Sequence, residues 1–138
     1  MGVVPVLHPD EQFIARALEL ASEAEHRGEV PVGALLVNEG AVVAEASNRS
    51  IEDHDPTAHA EIQVLRAAGQ ALGNYRLPES TLYVTLEPCP MCAGAMIQAR
   101  IRRLAAIYLR STRARPRQLR FDVAAVLAGE LTMIPSAF

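Results

Sequence analysis

The chain has no lysine and no tryptophan, and its 138 residues include only three tyrosines and three phenylalanines. With so few rings, core volume must come from Ala, Val, Leu and Ile. Only two cysteines are present, Cys89 and Cys92, and they fall within four residues of each other. They cannot staple distant segments, which excludes a disulfide scaffold and fits a metal or redox site. No apolar run approaches the ~20 residues that span a bilayer. Met1 to Asp10 lacks the basic start and apolar stretch of a secretory signal. A cytoplasmic protein with no membrane contact is expected. Half of the residues are hydrophobic and 21% are charged, which argues against disorder. One compact domain over residues 1–138 is expected.

Every basic side chain other than histidine is arginine, and the arginines are unevenly placed. Residues 1–99 carry five Arg and fourteen acids, whereas residues 100–120 carry eight Arg and no acid. The formal net charge of −3 conceals this division. Arg110, Arg113, Arg115, Arg117 and Arg120 are candidate phosphate contacts for a polyanion such as RNA. A solvated surface segment explains the same run equally well.

Hydrophobic periodicity predicts a helix over Pro9–Arg27, with Phe13, Ile14, Ala17, Leu18 and Ala21 on one side and Gly28 as the stop. Strands are predicted over Val30–Val37 and Ala41–Ala46, joined by a tight turn at Asn38-Glu39-Gly40. The polar stretch Asn48–Thr57 reads as a loop. A second helix is predicted from Ala58 to about Leu72, then a buried strand over Thr81–Leu86. A helix over Cys89–Ala99 and a strand over Leu104–Leu109 follow. Phe121–Leu127 reads as a short helix, and Leu131–Phe138 is apolar enough to pack or pair. Strands separated by helices imply parallel pairing, and an α/β fold with a mixed sheet covered on both faces is expected.

Two short motifs open two of these helices. The first is Thr57-Ala58-His59-Ala60-Glu61; the second is Glu87-Pro88-Cys89-Pro90-Met91-Cys92. A C-x-x-C at a helix start brings two sulfurs to one point, where free N–H groups favour thiolates. Imidazole nitrogen and thiolate suit a tetrahedral zinc ion. His59, Cys89 and Cys92 are therefore the expected ligands. With no fourth protein ligand apparent, the remaining position is left to water, as in catalytic zinc sites. Glu61, in the first helical turn, is the candidate acid/base. A dithiol redox centre would leave His59 and Glu61 without a role. His54 and Glu87 read as loop residues, and Met91 and Met96 as packing residues.

On these residues the sequence resembles the zinc-dependent cytidine deaminase superfamily, whose nucleobase deaminases carry H-x-E followed by P-C-x-x-C. The strings EVPVGALLV, NRSIEDHDPTAHAEI and NYRLPESTLYVTLEPCPMCAGAMIQARI resemble the bacterial tRNA-specific adenosine deaminases, from about Pro9 to Leu104. The resemblance implies a three-layer α/β/α fold, one zinc ion per chain, and a homodimer whose interface helps to form the substrate pocket. It implies hydrolysis of adenosine to inosine at the wobble position of the tRNA anticodon loop. The base would be flipped into the pocket, and Glu61 would protonate the ring nitrogen and then the departing ammonia. It also implies that Asn48 contacts the nucleoside; by its own chemistry, Asn48 serves as well as a turn residue. Beyond Leu104 the pattern changes. YLRSTRARPRQLR stands where the family has a glycine-rich stretch around an acidic residue, and residues 110–138 form an atypical, shortened C-terminal region. FDV then matches again, as a local reading-frame change in the gene would leave it. Sequencing the coding DNA tests that origin.

Two other functions compete. A deaminase of free guanine, adenine or cytosine, or of a nucleoside, needs the same four residues. A non-catalytic deaminase-like scaffold would bind RNA through the Arg segment, but it has no use for Glu61.

Overall fold

Alternation along three neighbouring strands divides the molecule into two cores. The structure is a computed structural model and describes residues 9–108, 120–127 and 130–134. The elements are α1 (Pro9–His26), β1 (Gly33–Asn38), β2 (Ala41–Ser47), α2 (Ala60–Leu72), β3 (Ser80–Val84), α3 (Pro90–Gln98), β4 (Arg103–Tyr108), β5 (Arg120–Leu127) and β6 (Glu130–Ile134). Successive strand residues point to opposite faces. Ala34, Leu36, Leu82, Val84, Leu104 and Ala106 accordingly pack with Val64 and Ala68 of α2 and Met96 of α3. Leu35, Val37, Tyr83 and Ala105 turn the other way, onto Ile14, Ala17 and Leu20 of α1. Each fully buried Leu or Ile on these faces contributes about 1.5–3 kcal/mol. The result is the expected three-layer α/β/α arrangement around a mixed sheet.

The sheet order is β2-β1-β3-β4-β5-β6. Only β3 and β4 pair in parallel, joined through α3; the other neighbours are antiparallel. The strands that flank α2, β2 and β3, also run in the same direction as expected, each antiparallel to β1, but they do not pair because β1 lies between them. The chain leaves β2 through α2, but β2 already covers one edge of β1. β3 takes the other edge and runs antiparallel to β1. The hairpin turn is as read: Glu39 and Gly40 both have positive φ, 51° and 79°, the requirement of a two-residue turn that follows the strand twist. β1 begins at Gly33 and not at Val30, since Pro31 has no N–H to give a ladder.

The predicted helix at Phe121–Leu127 is a strand instead. Arg120–Ala125 pair with Arg103–Tyr108, and Val123–Leu127 with β6. Phe121, Val123, Ala125 and Leu127 have a two-residue period as well as helical character. The free N–H and C=O groups along β4 decide between them.

α1 is fastened at several points. A Cβ at Gly33 would lie 2.1 Å from the Ala17 carbonyl oxygen and 2.7 Å from the Ala21 nitrogen, so helix and strand approach to backbone contact only because residue 33 is glycine. In the first turn, Asp10 receives both terminal nitrogens of Arg103, at 2.6 and 3.0 Å, and the Tyr83 hydroxyl. At the other end, Gly28 has φ +81°. Its N–H reaches the Glu25 carbonyl and the Glu29 N–H reaches that of Ala24, at 3.0 and 2.9 Å. This pair of bonds is a Schellman closure, and it aims Glu29 at the loop that follows β2.

Candidate metal centre

Two helix starts converge on the α2/α3 face. His59 is the N-cap of α2 and Cys89 the N-cap of α3, with Pro90 at the first helical position. Proline fits there because its missing N–H has no helical partner to lose. Neither N-cap side chain makes a capping hydrogen bond to its helix backbone, and the two are turned to one another instead. His59 Nδ1 lies 3.6 Å from Cys89 Sγ and 3.5 Å from Cys92 Sγ, and the sulfurs are 3.6 Å apart. The three form a group that could hold a metal ion. A tetrahedral ion with Zn–N near 2.05 Å and Zn–S near 2.3 Å sets N–S and S–S edges of about 3.6 and 3.8 Å. The observed triangle matches those edges, so the donor set and its spacing fit zinc.

Glu61 is 4% exposed, and its Oε2 sits 3.5 Å from Cys92 Sγ. Burial raises its carboxyl above the ordinary range, while its own backbone N–H, Cys92 and His59 offset part of that rise. Burial also pushes the Cys92 thiol up, reinforced by the neighbouring Glu61 charge. Binding a metal as thiolates releases protons from the cysteines.

His59, Cys89 and Glu61 border a cavity of about 360 Å³, also lined by Val30, Val32, Asn48, Ser50, Pro56, Leu86 and Glu87, a size usual for small-molecule sites. Asn48 is 5% exposed. Its backbone N–H reaches the Val32 carbonyl at 3.1 Å, and its Nδ2 donates to Glu29 Oε2 at 3.1 Å. A larger space, about 680 Å³, lies between α2 and α3 beside Ile62, Leu65, Tyr75 and Ala95. It holds none of the His59, Cys89 and Cys92 donors, so the smaller cavity is the candidate site.

Residues 7–108 match the zinc-binding region of cytidine and deoxycytidylate deaminases. The chain belongs to this family. Zinc is the cofactor of such deaminase domains, in keeping with the triangle above. The tRNA-specific adenosine deaminase of Haemophilus influenzae is 56% identical over 96 residues, which are 69% of this chain and 56% of that protein. The guanine deaminase of Bacillus subtilis is 46% identical over 91 residues, 65% of this chain and 58% of that one. A structure from a study of A-to-I editing by tRNA:A34 deaminases at the wobble position of transfer RNA superposes with TM-score 0.69 and 55% identity, covering 70% of each chain. The chain spans 56%, 59% and 60% of the length of three tRNA-specific adenosine deaminases that it matches.

His59, Glu61, Cys89 and Asn48 of the deaminase domain thus line one cavity, and Cys92 is buried beside it, within 3.6 Å of His59 and Cys89. Arg110, Arg113, Arg115 and Arg117 lie outside the described residues, and Arg120 opens β5. His54 is an exposed loop residue with φ 49°. Glu87 is exposed and borders the cavity. Met96 is buried as expected, but Met91 is 38% exposed, because the turn that orients the two cysteines points the residues between them outward. Val30, Ser50 and Leu86 were not foreseen as cavity walls. Only the fold brings these three separated segments together, and no local pattern marks them. No helix among the described residues is long and apolar enough to cross a membrane.

Proposed function

We propose that this domain hydrolyses adenosine to inosine at the wobble position of a tRNA anticodon loop. The observation that carries the chemistry is the His59, Cys89 and Cys92 triangle with the Glu61 carboxyl 3.5 Å from one of its sulfurs. The substrate is supported by similarity to tRNA-specific adenosine deaminases at 56%, 55% and 58% identity.

His59 Nδ1 and the two cysteine sulfurs would hold the metal. Zinc, when bound there, supplies a Lewis acid that lowers the pKa of water. Val30 and Leu86, both half-exposed, give the cavity an apolar mouth for a flipped base. Asn48 holds the nucleoside from the side wall. Glu61 takes a proton from water and gives it to the ring nitrogen beside C6, then takes the proton of the new C6 hydroxyl and passes it to the amine. Water adds at C6, the C6–N6 bond breaks, and inosine and ammonia leave. Keeping Glu61 away from bulk water suits a group that must hold and release one proton.

The domain is read as cytoplasmic, where tRNA and free thiols coexist, and as a homodimer. The apolar groove between α2 and α3, flanked by exposed Leu72 and Tyr75, supports the dimer. Sedimentation of the protein and of Tyr75→Glu checks it; a monomeric parent would overturn it.

The test of function is a substrate panel on zinc-loaded protein. Inosine should form in an anticodon stem–loop bearing the wobble adenosine, while guanine, adenine and cytosine remain unchanged. Turnover of a free base alone would transfer the domain to the second reading, deamination of a free base, which its similarity to guanine deaminase favours.

A further inference from the structure

Glu29 does not belong to the metal-binding group, yet it is a charged residue sealed inside the protein, 5% exposed. The Schellman closure of α1 at Gly28 sets its position. Its Oε1 accepts the Glu52 backbone N–H at 2.7 Å, and its Oε2 accepts Asn48 Nδ2 at 3.1 Å. Burial alone would raise its carboxyl. The bonds from Glu52, Asn48 and Ile51, with the charge of Arg27, outweigh that and hold it below the ordinary value. Glu29 is therefore an ionised group that can only accept.

That restriction has a consequence for Asn48. A carboxylate repels an amide oxygen and attracts an amide nitrogen, so only one of the two amide orientations satisfies Glu29. Asn48 Oδ1 has no hydrogen-bond partner among the described residues. It is also absent from the sealed, unpartnered polar atoms, where Ser50 Oγ alone stands among the described residues. The oxygen is thus the free end of a side chain that borders the cavity.

We propose that Glu29 is a positioning residue that locks the Asn48 amide with its oxygen toward the cavity, so that the cavity reads a hydrogen-bond donor on its ligand. The inference rests on the cavity being the nucleoside site. In the opposite orientation Asn48 would offer N–H groups and meet that donor with a like group. Glu29→Gln should cause this inversion. The introduced amide must still accept from the Glu52 N–H, which turns its NH₂ toward Asn48, and Asn48 then rotates to accept.

The lock is tested first without substrate, in zinc-loaded ¹⁵N-labelled protein. The Asn48 side-chain amide is assigned by its loss in Asn48→Ala. One of its two protons should be shifted downfield and protected from exchange in the parent, and lose both properties in Glu29→Gln. If both protons of the parent exchange at the solvent rate, the lock does not exist, whether or not the variant folds. The second arm is kinetic, on the anticodon stem–loop. Glu29→Gln should raise KM by about 10-fold with kcat nearly unchanged, as expected when one ground-state hydrogen bond is lost. In the Asn48→Ala background it should change KM by less than about two-fold, since its effect passes through Asn48. A full, multiplicative loss in that background overturns the inference. A parent that deaminates no RNA overturns the proposed function, while the spectrum still decides the lock.

Discussion

The α1 face of the sheet is closed by contacts that do no chemistry, whereas the α2/α3 face ends in two helix starts whose capping positions are His59 and Cys89. On the first face, backbone meets backbone at Gly33, and Asp10 ties the first turn to Tyr83 and Arg103. On the second, neither N-cap side chain caps its helix. A capping Ser, Thr, Asp or Asn contributes about 1 kcal/mol at such a position. Both helices forgo that, and their caps face a common point instead. One side of a single sheet is thus optimised for closeness, and the other gives up local stability to assemble donors. Glu61 carries the same mark: a carboxyl raised by burial on the face where the chemistry is proposed.

This division can be broken from either side. The largest effect is expected from His59→Ala, which removes one corner of the triangle. Zinc content should fall below one per chain and deamination by about a thousand-fold or more, as read by metal analysis and inosine assay. Glu61→Ala should cost about 10²–10⁴-fold in kcat while zinc content and melting temperature stay near the parent values. Retained activity would remove Glu61 from the role proposed above.

The opposite face should respond in stability alone. Gly33→Ala places a methyl against the α1 backbone and is expected to destabilise by about 1–3 kcal/mol. Urea unfolding reads this, with turnover per folded molecule preserved. The smallest effect concerns pH. Burial, followed by the hydrogen bond to Asp10 and then that carboxylate's charge, raises the Tyr83 phenol above 10.0. A raised folded-state value leaves its contribution intact below about pH 10 and removes it as pH rises further. Tyr83→Phe should flatten that alkaline decline; an unchanged decline would show that Tyr83 is not its source.

Much of the site was legible because its parts are local. H-x-E and C-x-x-C each fix two residues within one turn, and zinc chemistry says which types belong together. Asn48 was reached only through resemblance, since asparagine in a polar loop is ordinary. Glu29 went unremarked: an acid after a helix-ending glycine has no meaning until α1 and the loop after β2 are adjacent. Phe121–Leu127 failed for a related reason. Its pattern admits both periods, and the choice belonged to the free edge of β4.

The sequence by itself determined the donor types, their order and the helix starts that carry them, because side-chain chemistry and capping act over a few residues. Only the tertiary structure decided that residues 59, 89 and 92 stand 3.5–3.6 Å apart, that β3 lies antiparallel to β1, and that Glu29 stands behind Asn48. Those facts depend on which strand edge is free and how closely a helix can approach, and no stretch of chain encodes either alone.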